Sequence, residues 1–239
     1  MEKKVSIILP VYNEEKNIEE VISHIYSYIK KRSEFFQVIV VDDGSTDNSL
    51  NVIENLFCNY KIQIVRHDKN LGYGQALISG FAAAKFPLCF FMDADGQFDV
   101  YDLDKLMIYV DQYDIIIGSR GRRKDSLYRI MLGEAYTTLI SLLFCLKIQD
   151  VNCGFKLIKR DVLDKIKLTC KGGVIDAEIL VRGKNNGFKI KEVVIDHSPR
   201  KWGRQTGGRI YTIFRAIKEL VLFWYRIKIK EYRKKRKNV

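Results

Sequence analysis

Histidine and proline are scarce in this chain, at three residues each, and there are two tryptophans. His24, His67 and His197 share no metal-ligand or nucleophile–base spacing, and His24 and His67 read as structural. No GxSxG, P-loop or HExxH stretch is present, which removes the hydrolase, P-loop and zinc-protease signatures. The five cysteines (Cys58, Cys89, Cys145, Cys153, Cys170) are odd in number and show no CxxC or Cys/His metal spacing. Three of them sit in apolar runs, so they read as reduced, mostly buried thiols of a cytosol-facing protein. No stretch reaches the roughly 18 uninterrupted apolar residues of a spanning helix. The nearest, 135–146 and 220–225, are cut short by charge. At the start, MEKKVSIILPVY offers only a short apolar run before Pro10, too short for a signal peptide.

What is present belongs to a folded chain. Its 239 residues are 47% hydrophobic and 29% charged, enough for one large domain with a real core. Acid is outnumbered, with 41 Lys/Arg against 29 Asp/Glu and a net charge of +12. The excess is unevenly placed: from Arg209 onward eleven Lys/Arg face only Glu219 and Glu231, a net of +9. Such a segment expects an anionic partner, a membrane surface or a nucleic acid.

The first half alternates strand-like and helix-like patterns. Strand candidates are Val5–Leu9, Phe36–Val41, Ile62–Arg66, Leu88–Met92 and Asp114–Ile117, all near-continuous apolar runs suited to burial on both faces. Between them lie helical patterns at 15–30, 48–57, 74–85 and 102–112. This alternation predicts βαβ units and an α/β fold with a mostly parallel sheet, which binds ligands beyond the carboxyl ends of its strands. The second half adds strands near 155–158 and 189–195 and a helix near 175–185. Nothing marks a second domain, so the expected organisation is a catalytic domain over 1–208 and a basic helix and tail over 209–239.

Acid clusters where that ligand edge should be. VIVVDDGSTDNSL (38–50) places Asp42 and Asp43 side by side at a strand end, where they repel unless a cation or hydrogen-bond donors lie nearby. A nucleotide's base and ribose would supply donors, while Ser45, Thr46 and Asp47 suit a turn and helix cap. In DADGQ (93–97), Asp93 and Asp95 would share one side of an extended chain and converge on a cation. Mg²⁺ and Mn²⁺ favour such carboxylates with water, phosphate oxygens and an amide oxygen such as that of Gln97. KNLGYGQALISG (69–80) is either a tight turn with close helix packing or a helix start aimed at a diphosphate. A dinucleotide fingerprint would follow the first strand, where LPVYNEE has no glycine. Basic loops around Arg120, Arg122 and Arg123, and around Arg200 and Arg204, suit an anionic substrate group.

Together, LPVYNEEKNI, VVDDGSTD, NLGYGQA, MDADGQF, GSR and DVNCGFK resemble the family 2 glycosyltransferases of GT-A (Rossmann-like) fold, over about residues 4 to 208. Within that family they are most similar to dolichol-phosphate mannose synthase-like and polyprenyl-phosphate glycosyltransferases. The resemblance implies that Pro10, Tyr12, Glu14 and Asp42 contact the base and ribose of a nucleotide sugar, with Asp43 supporting that pocket and Asp93 beside the donor. It implies a divalent cation, Mg²⁺ or Mn²⁺, held by Asp93, Asp95 and Gln97. Asp95, Arg120 and Arg200 become the expected catalytic residues, the arginines meeting the donor diphosphate or an acceptor phosphate. Relatives often carry Arg-x-x-Gly-x-Ser-Lys near the domain's end; here Arg200 and Gly203 match, while Gln205 and Thr206 replace the Ser-Lys pair.

The implied reaction is inverting transfer of a sugar from a GDP- or UDP-sugar to a polyprenyl or dolichyl phosphate, which is already anionic and needs no general base. A sugar hydroxyl as acceptor would need one, for which Asp150, Asp176 or Glu178 are candidates. A nucleotidyltransferase using the same carboxylates is a more distant reading. Ile210, Ile213, Phe214, Ile217, Leu220, Val221 and Trp224 recur at helical spacing among basic residues. That pattern suits the plane of an anionic membrane or, equally, docking on the core. The expected place is peripheral, on the cytoplasmic face, with room for a separate membrane subunit. No nucleic-acid partner is expected, since the positive charge lies outside the motif-bearing core.

Overall fold

The computed structural model describes residues 3–32, 35–121, 126–203 and 210–237, with side chains described up to residue 229 apart from that of Ile210. Arg122, Arg123, Arg204, Gln205, Thr206 and the side chains of the basic tail lie outside the described residues. Seven strands form one sheet: β1 (Val5–Val11), β2 (Phe36–Asp42), β3 (Ile62–Arg66), β4 (Leu88–Met92), β5 (Ile115–Arg120), β6 (Phe155–Lys159) and β7 (Ile190–Ile195). Their order is β3-β2-β1-β4-β6-β5-β7. All neighbours run parallel except β6, which is antiparallel to both β4 and β5. The first five strands fall where the apolar runs place them, and β1 and β4 are buried along their whole length, as a two-sided core strand requires. This is the GT-A arrangement the motifs imply.

Helices cover both faces: α1 (Ile18–Lys30), α2 (Ser49–Phe57), α3 (Tyr73–Ala83), α4 (Leu103–Met107), α5 (Leu127–Phe144), α6 (Arg160–Lys165), α7 (Ile175–Asn185) and α8 (Ile210–Lys237). One face of the sheet packs Ile18, Ile22 and Ile25 of α1, and the other packs Ala76, Leu77 and Phe81 of α3 and Ile175, Ile179 and Leu180 of α7. The chain runs β1 to β2 to β3 in one direction and then returns to place β4 on the far side of β1. The carboxyl ends of β1, β2 and β4 therefore flank a topological switch point, where a ligand crevice opens.

Two expectations need correction. The pattern at 102–112 yields only a 3₁₀ turn (Val100–Asp102) and the short α4. The aromatic and β-branched run that follows, Ile108 to Tyr113, is a poor helix former, and Tyr109 and Tyr113 pack edge to face instead. The C-terminal helix forms, but a different stripe faces the protein. Leu220, Phe223 and Ile227 are buried on the core, with Phe223 against Phe144 of α5 at 5.3 Å between ring centres. Phe214, Ile217, Val221 and Trp224 stay exposed, so α8 carries two apolar stripes rather than one.

Candidate active site

The loops after β1 and β2 are joined by one residue. Asn13 takes a left-handed backbone (φ 58°), and its Oδ1 accepts from the Thr46 N–H at 2.8 Å while its own N–H donates to Ser45 Oγ. The Glu14 N–H donates to Ser49 Oγ at 2.8 Å. YNEE and DGSTD are thus held against each other, with Pro10 buried in β1 beside Val41 and Tyr12 40% exposed at the rim. Asp42 is buried and accepts from the Ser45 N–H. Its neighbour needs no ligand: Asp43 accepts from the Leu71 and Gly72 N–H groups at 2.9 and 2.8 Å and meets His67 Nδ1 at 2.7 Å. The repulsion expected of this acidic pair is relieved by the protein itself, and Asp43 and His67 pin the chain ahead of α3.

The start of α3 is likewise closed. The Lys171 carbonyl accepts from the Gly74 N–H at 2.8 Å and the Gln75 N–H at 3.2 Å, so this helix end points at a protein loop and not at a diphosphate. Here glycine serves close approach, since a Cβ on Gly74 would sit 2.5 Å from the Cys170 carbonyl oxygen.

β4 ends at Met92, and the chain bends over residues 94–96, so Asp93 and Asp95 do not share an extended strand. Asp93 turns inward: its N–H donates to the Gly154 carbonyl, and its Oδ1 accepts from the Tyr73 hydroxyl at 2.9 Å. Burial, then the charges of Asp95 and Asp176, push its carboxyl up to about 7. Asp95 accepts from the Gln97 N–H through Oδ1 and from Arg200 Nη1 through Oδ2 at 3.2 Å. Arg200 also grips Glu14 with Nη2 at 2.5 and 2.7 Å, so residues 186 positions apart meet at one cation. Burial raises the Glu14 carboxyl above its ordinary value, against the pull of Arg200 and Asn17. Gln97 is buried, and its amide NH₂ donates to the Ser198 carbonyl, which leaves the oxygen end for a cation.

Arg120 lies at the same sheet edge, gripped by Asp150 through Nε at 2.7 Å and Nη2 at 2.8 Å. Behind it, the fully buried Lys156 pairs with the buried Asp176 and donates to the Cys153 carbonyl. Glu178 is buried, pairs with Arg182 at 2.7 Å and accepts from the Thr169 and Cys170 N–H groups. All three carboxylates considered as bases therefore have structural partners. Sequence reasoning missed Asn13, Tyr73, Gly154 and Lys156, although all four lie inside quoted motifs.

Do these residues suit a divalent cation? Among the described residues, no group of three His, Cys, Asp or Glu side chains could hold a metal ion. A cation would instead take Asp93, Asp95 and the Gln97 oxygen and complete its shell with substrate phosphate and water, as Mg²⁺ commonly does. The negative charge pressing on Asp93 fits such an ion.

The family model for glycosyl transferase family 2 matches residues 6–167, and the chain belongs to that family. It is a glycosyltransferase. It is 29% identical to a dolichyl-phosphate beta-glucosyltransferase of Trichomonas vaginalis, over 86% of this chain and 68% of that one. It is 30% identical to the dolichol-phosphate mannosyltransferase of Pyrococcus furiosus (91% and 64%), and 28% identical to an undecaprenyl-phosphate 4-deoxy-4-formamido-L-arabinose transferase of Proteus mirabilis (84% and 61%). The chain thus spans about two thirds of these relatives' lengths. Among solved structures, glucosyl-3-phosphoglycerate synthase of Mycobacterium tuberculosis, crystallised with Mn²⁺, UDP and phosphoglyceric acid, shares the fold with a TM-score of 0.71 at 19% identity, over 93% of this chain and 78% of that one.

Proposed function

We propose that this glycosyltransferase moves a sugar from a GDP- or UDP-sugar to a polyprenyl or dolichyl phosphate, with inversion at the anomeric carbon and with a Mg²⁺ or Mn²⁺ ion. The convergence of Glu14, Asp42, Asp93, Asp95 and Arg200 at the β1–β2–β4 switch point carries the reading. Relatives named for dolichyl and undecaprenyl phosphate support the acceptor class.

Tyr12, Glu14 and Asp42 bind and orient the nucleoside. Arg200, now spent on Glu14 and Asp95, neutralises phosphate charge as the glycosidic bond to the diphosphate breaks. Arg120, held by Asp150 at the same sheet edge, meets a second phosphate. When bound, the divalent ion supplies Lewis-acid stabilisation of the leaving diphosphate. An acceptor phosphate attacks as an anion, which agrees with the engagement of Asp150, Asp176 and Glu178 in ion pairs elsewhere.

The surface suits a lipid substrate. Along α8 Tyr211, Phe214, Ile217, Val221 and Trp224 are exposed among Arg215, Lys218, Arg226 and Lys228. The nearly uncharged α5 exposes Leu127, Met131, Leu139 and Leu142. Aromatic, apolar and basic residues in this combination lie in the headgroup region of an anionic bilayer. No helix among the described residues is long and apolar enough to cross it. The test is incubation with Mn²⁺, a labelled nucleotide sugar and polyprenyl phosphate, followed by lipid extraction. Label in the lipid phase is expected, and label found only in polysaccharide or glycolipid would defeat the acceptor assignment.

A further inference from the structure

Tyr73 has no part in the reading above, yet its hydroxyl is a direct donor to the proposed metal aspartate. The Tyr73 O–H lies 2.9 Å from Asp93 Oδ1 and donates to it. With Oδ1 of Asp93 engaged by Tyr73 and Oδ2 crowded against Gly154, where an added Cβ would fall 2.2 Å away, the carboxylate has little room to turn. Tyr73 is itself set from two sides. Asp43 binds the Leu71 and Gly72 N–H groups, and the Lys171 carbonyl binds those of Gly74 and Gln75.

The loop carrying Lys171 is held in turn by α8. Glu219 Oε1 accepts from the Lys171 N–H at 2.7 Å and the Gly172 N–H at 2.9 Å, and Arg226 Nη1 donates to Thr169 Oγ1 at 3.2 Å. The contacts form one unbroken series: Glu219, the 171–172 backbone, the first turn of α3, Tyr73, Asp93. Each link is a hydrogen bond or a covalent neighbour.

We propose that Tyr73 is the positioning residue for Asp93, and that Glu219 of the C-terminal helix sets Tyr73 through the 171–172 loop. The helix that faces the proposed bilayer thereby helps to shape the donor site. The inference rests on the metal-dependent reading of that site and names residues which that reading leaves unassigned.

The test is the Mn²⁺ concentration giving half of the nucleotide-dependent thermal shift, measured on full-length protein with UDP and with GDP. Tyr73→Phe keeps the ring and removes the donor. It is expected to raise the midpoint about tenfold, the scale of one hydrogen bond to a charged group, while the melting temperature without ligand stays near the parent's. Glu219→Gln is expected to raise it about threefold, and the double variant no further than Tyr73→Phe alone, since both act along one series. An unchanged midpoint in Tyr73→Phe overturns the inference. A Glu219→Gln variant that lowers only the ligand-free melting temperature removes the α8 link. A parent without any Mn²⁺-dependent shift overturns the metal-dependent reading and this inference together.

Discussion

Lys156 offers the sharpest test of the interior behind the site. It is fully buried, its ammonium paired with Asp176 and donating to the Cys153 carbonyl. Lys156→Met fills the same volume without the charge. Asp176 is then left buried without its ion-pair partner, with only the more distant Arg120 charge to favour its ionised form, and burial already holds its carboxyl above the ordinary value even with Lys156 present. The cheapest escape is to bind a proton. From an unfolded value of about 3.9, forcing protonation at pH 7 costs at most ~4 kcal/mol at 1.36 kcal/mol per unit. Part of that is already borne by the parent, so the expected loss is about 3 kcal/mol, in line with the usual cost of removing one partner from a buried pair. The sign follows: a carboxyl raised in the folded state loses stability as pH rises above its unfolded value. The deficit should therefore shrink to about 1 kcal/mol at pH 5, where little work is needed to protonate it. Urea denaturation of parent and variant at pH 7, 6 and 5 reads this directly. A deficit below about 1 kcal/mol at pH 7, or one that ignores pH, would refute the reasoning.

Gly154→Ala places a methyl group 2.2 Å from Asp93 Oδ2, so Mn²⁺-dependent nucleotide binding should fall at least tenfold, as isothermal titration would register. Glu178 lies below its ordinary 4.5 because backbone N–H groups of Cys170 and Thr169, with Arg182 and the Thr169 hydroxyl, outweigh its burial. Its contribution is present above about pH 4.5 and is lost as pH falls through the lower folded value, so Glu178→Gln should be less stable near neutrality and show a flatter acid limb in thermal melts. Arg120→Lys replaces a two-pronged grip on Asp150 with a point charge and should lower turnover about tenfold or more without unfolding the protein, readable by comparing kcat with circular dichroism. Phe214→Asp with Trp224→Asp, both exposed, should weaken flotation with anionic vesicles while leaving the melting temperature unchanged, and equal flotation would count against the membrane surface.

Much of the fold was legible because β1, β4 and most of β2 and β5 are buried on both faces and therefore read as largely apolar runs, while the half-buried β3, with only Ile62 fully covered, still shows its β-branched Ile62, Ile64 and Val65. The antiparallel β6 was legible as a strand but not in its direction, because FKLIK carries no mark of orientation and hides a charged Lys156 inside the sheet. Adjacent acids located the site, yet they did not separate Asp42 from Asp43. That distinction comes from His67 and two N–H groups, all supplied from about 24 to 29 residues downstream. The Glu14–Arg200 grip spans 186 positions, beyond any local pattern. Helical spacing marked one apolar stripe on α8 and did not name Phe223 and Ile227, because which stripe meets the core depends on where Phe144 and Glu219's loop partners lie.

The central claim is that Asp93, Asp95 and their neighbours hold a cation-bound nucleotide sugar. Thermal unfolding of parent and Asp95→Ala with UDP- and GDP-sugars, with and without Mn²⁺, tests it most directly. The account predicts that at least one sugar nucleotide stabilises the parent only when Mn²⁺ is present and that Asp95→Ala abolishes this metal-dependent part. Stabilisation of both proteins to the same extent, or of neither by any sugar nucleotide, would contradict it.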